Sequence, residues 1–199
     1  MRWRAFAPAL LFALAGDARA HAFSPDAGHF YNGLMHAFID PGQVLILLGL
    51  GLLAAQRDLV TARTVVIGMP LLALIVSALP VPADWLPTAE AGVLLGAGLV
   101  ALTVVLARPC AAHWLQGLAL VSALGPGLVN AAELARASWL VPRLYLSGAA
   151  LGIFMLVMSS FVLASTARRL FGALAELAMR VLASWLLAGS LLLLALRWA

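Results

Sequence analysis

Ionisable side chains inside apolar segments are expensive to keep there, so each is a functional candidate. The chain offers few. His36 and Asp40 lie on one apolar stretch; His113 and Glu133 lie at the two ends of another, with Asn130 three residues before Glu133. His36, Asp40 and Gln43 are spaced four and three apart, so they share a face if their stretch is helical. Asn130 and Glu133 share a face by the same rule. Convergent imidazole and carboxylate groups suit Ni²⁺ or another borderline divalent ion. The candidate metal set is therefore His36, Asp40 and Glu133, with His29 and His21 as further donors from a polar leader. Taken singly, each has a simpler reading: His29 as an exposed leader residue, Asp40 as a helix cap, Glu133 as an interfacial charge. Cys110 and His113 form an isolated pair and read as packing.

Catalytic constellations are missing. The sequence has no Gly-x-Ser-x-Gly elbow, no His-Glu-x-x-His and no phosphate-cradling glycine loop. Ser159-Ser160 has no histidine nearby in sequence. The chain reads as a non-enzyme without a resident cofactor.

The candidate residues must be positioned by six apolar segments, near 33–55, 59–79, 89–106, 111–134, 144–164 and 177–197. In the first, Asp40-Pro41 reads as an N-cap followed by a first-turn proline. A helix from Pro41 to Ala55 would rise about 22 Å, short of a hydrocarbon core of roughly 30 Å. The segment therefore either starts near Gly33 and kinks at Pro41 and Gly42, or is broken there. Gly125-Pro126-Gly127 is expected to interrupt the fourth segment in the same way, and Met69-Pro70 falls in the second. Three spans separate the first and fourth segments, so matched interruptions at Pro41-Gly42 and Pro126-Gly127 would suit two inverted halves with a substrate site between them. Gly92 with Gly96, and Gly148 with Gly152, permit close helix approach within one bundle. Glu176 and Arg180, four apart, read as a membrane-surface pair.

Composition sets the class. Of 199 residues, 64% are hydrophobic and only 10% charged, and the mean hydropathy is +1.06. A soluble domain is near a quarter charged, so this is an all-α polytopic membrane protein whose main partner is the lipid bilayer. All basic residues are arginine, scattered at segment ends; the pI near 10.6 is no sign of nucleic-acid binding. The single cysteine excludes an internal disulfide framework. Residues 1–20 read as a cleaved signal peptide, with Arg2 and Arg4 before an apolar run and Ala18-Arg19-Ala20 as the processing site. An uncleaved anchor is the alternative. Cleavage would leave His21 as the N-terminus, where amine and imidazole can chelate a metal. Residues 21–199 then form one transmembrane domain with an external N-terminus. That orientation puts Arg57, Arg63, Arg108, Arg168 and Arg169 inside and Arg136, Arg143 and Arg197 outside, in the sense of the positive-inside rule. The expected location is the bacterial inner membrane.

With these residues in place, the chain resembles the HupE/UreJ family over nearly its whole length. The resemblance lies in the signal ending at Ala20-His21-Ala22-Phe23, six short spans and the first motif. His36 falls on the family's first His and Asp40 on its Gly. Gly42 and Gln43 fall on its Asp-His pair, ahead of Val44-Leu-Ile-Leu-Leu-Gly49. In the fourth segment Gly127 and Glu133 match a His- and Gly-rich run closing on Glu, while Pro126, Leu128 and Asn130 stand at its histidines. Gly148 matches the family's glycine in the fifth segment. The resemblance implies supply of Ni²⁺ or Co²⁺ to a metalloenzyme such as urease or hydrogenase, through a secondary permease or an accessory protein. His36 would be the principal ligand, Asp40 and Glu133 charge partners, and His29 or His21 the first capture group. Loss of imidazoles should weaken Ni²⁺ binding. It favours the alternative, a non-transporting scaffold beside a metalloenzyme maturation partner.

Overall fold

A computed structural model of the chain describes residues 28–107, 111–137 and 140–197. The signal peptide, His21, Cys110 and Trp139 lie outside them. The described residues form seven helices and no strand: α1 (His29–Ile39), α2 (Pro41–Ala55), α3 (Leu59–Ser77), α4 (Leu86–Leu106), α5 (Ala112–Arg136), α6 (Pro142–Phe171) and α7 (Ala173–Leu196). Helices α3 to α7 are each long and apolar enough to cross a membrane, and α1 with α2 makes a sixth, bent span. The protein is a polytopic helical membrane bundle.

The first segment is broken, not merely curved. Asp40 precedes proline, which disfavours the α region, and it adopts an extended conformation, φ −69° and ψ 114°. Its carboxylate accepts a 2.7 Å hydrogen bond from the Gln43 backbone N–H, capping α2, while Pro41 occupies the first turn, where no backbone donor is needed. The axes of α1 and α2 diverge by 71°.

α2 is the central element. It is apolar on all sides and buried on nearly all of them, packed between α4 and α6, with α7 alongside. α1 turns its Asn32, Gly33, His36 and Ala37 face onto α6. Here the backbones touch. A Cβ on Gly33 would strike the Tyr145 carbonyl, one on Gly148 the Phe30 carbonyl, and one on Gly152 would lie 2.5 Å from the Leu34 carbonyl. The Gly148/Gly152 pair thus serves packing within the bundle. Gly96 faces Ile46 of α2, whereas Gly92 faces open space.

The two other prolines are absorbed without a break. In α3 a wide π turn over Thr64–Gly68 precedes Pro70, and the Met69 N–H bonds to the Thr64 carbonyl. Widening relieves the clash that a proline ring makes with the carbonyl four residues back. In α5 the helix runs through Pro126 from Ala112 to Arg136. The expected interruption is therefore not present, and the two matched breaks of an inverted repeat are not seen. Gly125 and Gly127 serve instead as contact points: a Cβ there would lie 2.8 Å from Val93 Cγ2 of α4 and 2.6 Å from Val76 Cβ of α3, respectively.

α6 and α7 meet at Gly172, whose φ of +52° and ψ of −123° suit glycine. Arg168 reaches across this turn to Glu176 at 3.0 Å and also donates to the Ala55 carbonyl, while Arg180 donates through Nε to the Val105 carbonyl at 2.9 Å. The expected Glu176–Arg180 pair is thus replaced by Glu176–Arg168. α7 is the most lipid-exposed span, 17% buried where the other four long helices are 39–56% buried.

Candidate functional site

Among the described residues, every buried polar or charged side chain other than serine and threonine lies at one end of the bundle. Asn32, His36, Asp40, Gln43, Asn130, Glu133 and Tyr145 are all buried there. Three circumstances bring them together. The break at Asp40 exposes helix ends; α1 folds back onto α6; and the last turns of α5 run beside the first turns of α6. Gln43 and Asn130, each fully buried, meet side chain to side chain: Gln43 Nε2 donates to Asn130 Oδ1 at 3.3 Å. The Tyr145 hydroxyl donates to the same oxygen at 3.5 Å. The His36 and Tyr145 rings lie 6.3 Å apart, tilted by 46°. Asp40 and Glu133 both lie within Coulombic range of the Tyr145 hydroxyl. Asn32 Nδ2 donates to the Gly28 carbonyl at 2.9 Å, fixing the start of α1.

Two amide atoms stay uncommitted. Gln43 Oε1 and Asn130 Nδ2 are buried with no hydrogen-bond partner among the described residues. In a site of low dielectric such atoms carry a large desolvation cost. A cation or water between the helices would recover it on the carbonyl side. Asp40 also borders a cavity of about 280 Å³ between α2, α4 and α7, which the Glu90–Arg197 ion pair lines as well. Arg197 further donates to the Pro87 carbonyl at 2.6 Å.

The predicted metal donors separate into groups. His36, Asp40 and Glu133 are all buried at this end. His29 is the first residue of α1 and half-buried. Among the described residues no three His, Cys, Asp or Glu side chains stand close enough to hold a metal ion between them. His113 is exposed at the start of α5, 5.8 Å from the Trp114 ring. Ser160 donates to the Leu48 carbonyl at 2.9 Å, and so serves packing between α6 and α2. Sequence reasoning missed Tyr145 and Glu90. Both are single residues at the start of an apolar segment, without a periodic partner, and only the docking of α1 and α7 gives them a role.

This arrangement offers one imidazole, two carboxylates, three amides and a phenol, set among apolar helices. It can replace part of the hydration shell of a cation. Fold and site together define a polytopic membrane protein with a buried polar centre built around a broken helix. The chain belongs to the HupE/UreJ family, whose family model, described as HupE / UreJ protein, matches residues 9–195. No curated protein and no solved structure gives a significant match.

Proposed function

We propose that the chain is a secondary permease for a divalent transition-metal ion, Ni²⁺ foremost and Co²⁺ next, supplying a metalloenzyme of the urease or hydrogenase kind. One observation carries this reading: the buried imidazole, carboxylate and amide side chains gather beside the broken helix at one end of a membrane bundle whose other buried polar groups are hydroxyls. Irregular backbone at membrane depth is tolerated only where protein or a water-filled cavity surrounds it, and ionisable groups in spans mark ion pathways. The ion enters from the external side, at the end that carries Asp40 and Glu133. His36 supplies the imidazole, Asp40 and Glu133 the charge, and the Gln43 carbonyl a further oxygen. Such a mixed donor set binds weakly, as a conducting site must if the ion is to leave again. No nucleotide-binding motif is present in the sequence, so transport is driven by a gradient or by a partner.

A second reading is a non-transporting accessory protein of the same membrane. It is favoured by the lack of a three-donor metal group among the described residues. Uptake of radioactive Ni²⁺ separates the two. Cells expressing the chain should accumulate Ni²⁺ above an empty-vector control, and His36→Ala or Glu133→Gln at equal membrane level should abolish the excess. No uptake of Ni²⁺ or Co²⁺ by the correctly inserted protein would leave the accessory reading.

A further inference from the structure

The other end of the bundle has its own construction, which metal transport does not use. Arg57, Arg168 and Arg180 line a cavity of about 270 Å³, and Arg57, Arg168 and Arg169 line a neighbouring one of about 420 Å³. Among the described residues, the only acidic one on either cavity is Glu176, which is tied to Arg168. Four guanidinium groups thus face one carboxylate at the point where α6 turns into α7. Arg180 is held by its Nε–H on the Val105 carbonyl, so its guanidinium is fixed in place before any ligand arrives.

An apolar groove of about 390 Å³ runs from this basic patch along the bundle surface between α2, α6 and α7. Its near end is walled by alanines, Ala164 and Ala167 of α6 with Ala175 and Ala178 of α7; its far end by Trp185 and Leu186. From Ala175 to Leu186 the groove follows α7 for about 16 Å. Its one hydroxyl, that of Ser160, is already donated to the Leu48 carbonyl. The groove therefore offers nothing to a hydrated ligand and a fitted wall to a hydrocarbon chain.

We propose that this end of the bundle binds one anionic phospholipid. Its phosphate sits among Arg57, Arg169 and Arg180, and one acyl chain lies in the α2–α6–α7 groove. Charge complementarity selects the headgroup: basic pockets between transmembrane helices take anionic lipid heads, and arginine matches phosphate in a bidentate fork. The alanines select a chain, because no side chain of the protein fills the space they leave.

The test is native mass spectrometry of the purified full chain in detergent, titrated with phosphatidylglycerol, phosphatidylethanolamine or inorganic phosphate. Phosphatidylglycerol should be retained at least tenfold more tightly than phosphatidylethanolamine. Each arginine near the headgroup contributes about fivefold. Arg169→Gln, at an exposed position, should therefore weaken phosphatidylglycerol about fivefold, and Arg57→Gln/Arg169→Gln/Arg180→Gln about 100-fold. Ala167→Phe, which fills the groove, should weaken the lipid and leave inorganic phosphate unaffected. Equal retention of the two lipids, or an Arg169→Gln protein that binds like the parent, overturns the proposal. So does inorganic phosphate that displaces the lipid fully together with an indifferent Ala167→Phe, which would mark a simple anion site.

Discussion

The contact between α1 and α6 decides whether the polar centre stays closed, and it can be attacked at one atom. Gly148→Ala places a methyl group onto the Phe30 carbonyl. Neither partner can yield by changing rotamer, because both are helix backbone. α1 must move off α6. Overpacking of this kind costs about 1–3 kcal/mol, which raises the population of undocked α1 roughly 5- to 150-fold. In a membrane the loss is not softened by apolar burial, since lipid is as apolar as the displaced surface and helices associate there mainly by close packing. Asn32 lies on the docked face and is buried. In a Cys110→Ala background, Asn32→Cys should therefore react with a maleimide only when α1 lifts away. The labelling rate should rise at least fivefold with Gly148→Ala. Gly92→Ala supplies the control: it belongs to a pair of the same spacing, yet nothing lies within 4 Å of its added methyl. A Gly148→Ala rate within twofold of the parent, or an equal rise with Gly92→Ala, would refute the reasoning.

Other expectations are more local. Asn130→Leu leaves the Gln43 amide and the Tyr145 hydroxyl without their shared acceptor, so thermal unfolding in detergent should show a loss of about 1–3 kcal/mol. Adding Gln43→Leu should recover part of that loss, since removing both polar partners is far cheaper than removing one. Asp40→Ala removes the cap on the Gln43 N–H and should cost about 1 kcal/mol in the same assay, whereas Asp40→Ser should keep most of it. Glu90→Gln unties Arg197 on the wall of the Asp40 cavity. Since both side chains are partly exposed, stability should change by less than about 1 kcal/mol, while a cysteine at Gly42 should become more reactive to a small charged thiol reagent.

Local signals in the sequence proved legible where a single turn of chain decides the outcome. Asp40-Pro41 combined a pre-proline restriction, a cap and a missing donor, and these three effects all act within one turn; the break is where they put it. The bundle class followed from composition, because no soluble core leaves so few charges. Gly125-Pro126-Gly127 looked the same on paper and behaved otherwise. Its glycines are there for the approach of α3 and α4, a requirement set by neighbours the local sequence does not name. Glu176 was assigned to the cation four residues along its own helix, but Gly172 folds Arg168 back within reach, and a turn of that kind overrides helical spacing. Of the polar centre, the spacing of His36, Asp40 and Gln43 and that of Asn130 and Glu133 gave two half-faces. Nothing in either stretch announced that the halves meet through an amide pair and a tyrosine.

The wide turn in α3 has a bearing on which changes in chain length this protein can bear. Thr61, Val65, Met69, Ala73 and Ser77 are all buried and recur every fourth residue. In a straight 3.6-residue helix that spacing advances around the axis by about 40° at each step, and the fifth residue would point well away from the first. The turn at Thr64–Gly68 takes up extra chain and returns part of that lost phase. Deleting one residue inside it would restore an ordinary α turn and leave both halves of α3 facing their neighbours. The same deletion anywhere else in α3 would swing its far half by about 100°. Closing the turn brings back the clash of the Pro70 ring, yet it keeps the helix phase, so single-residue gaps in this helix should be tolerated better at the wide turn than anywhere else along it.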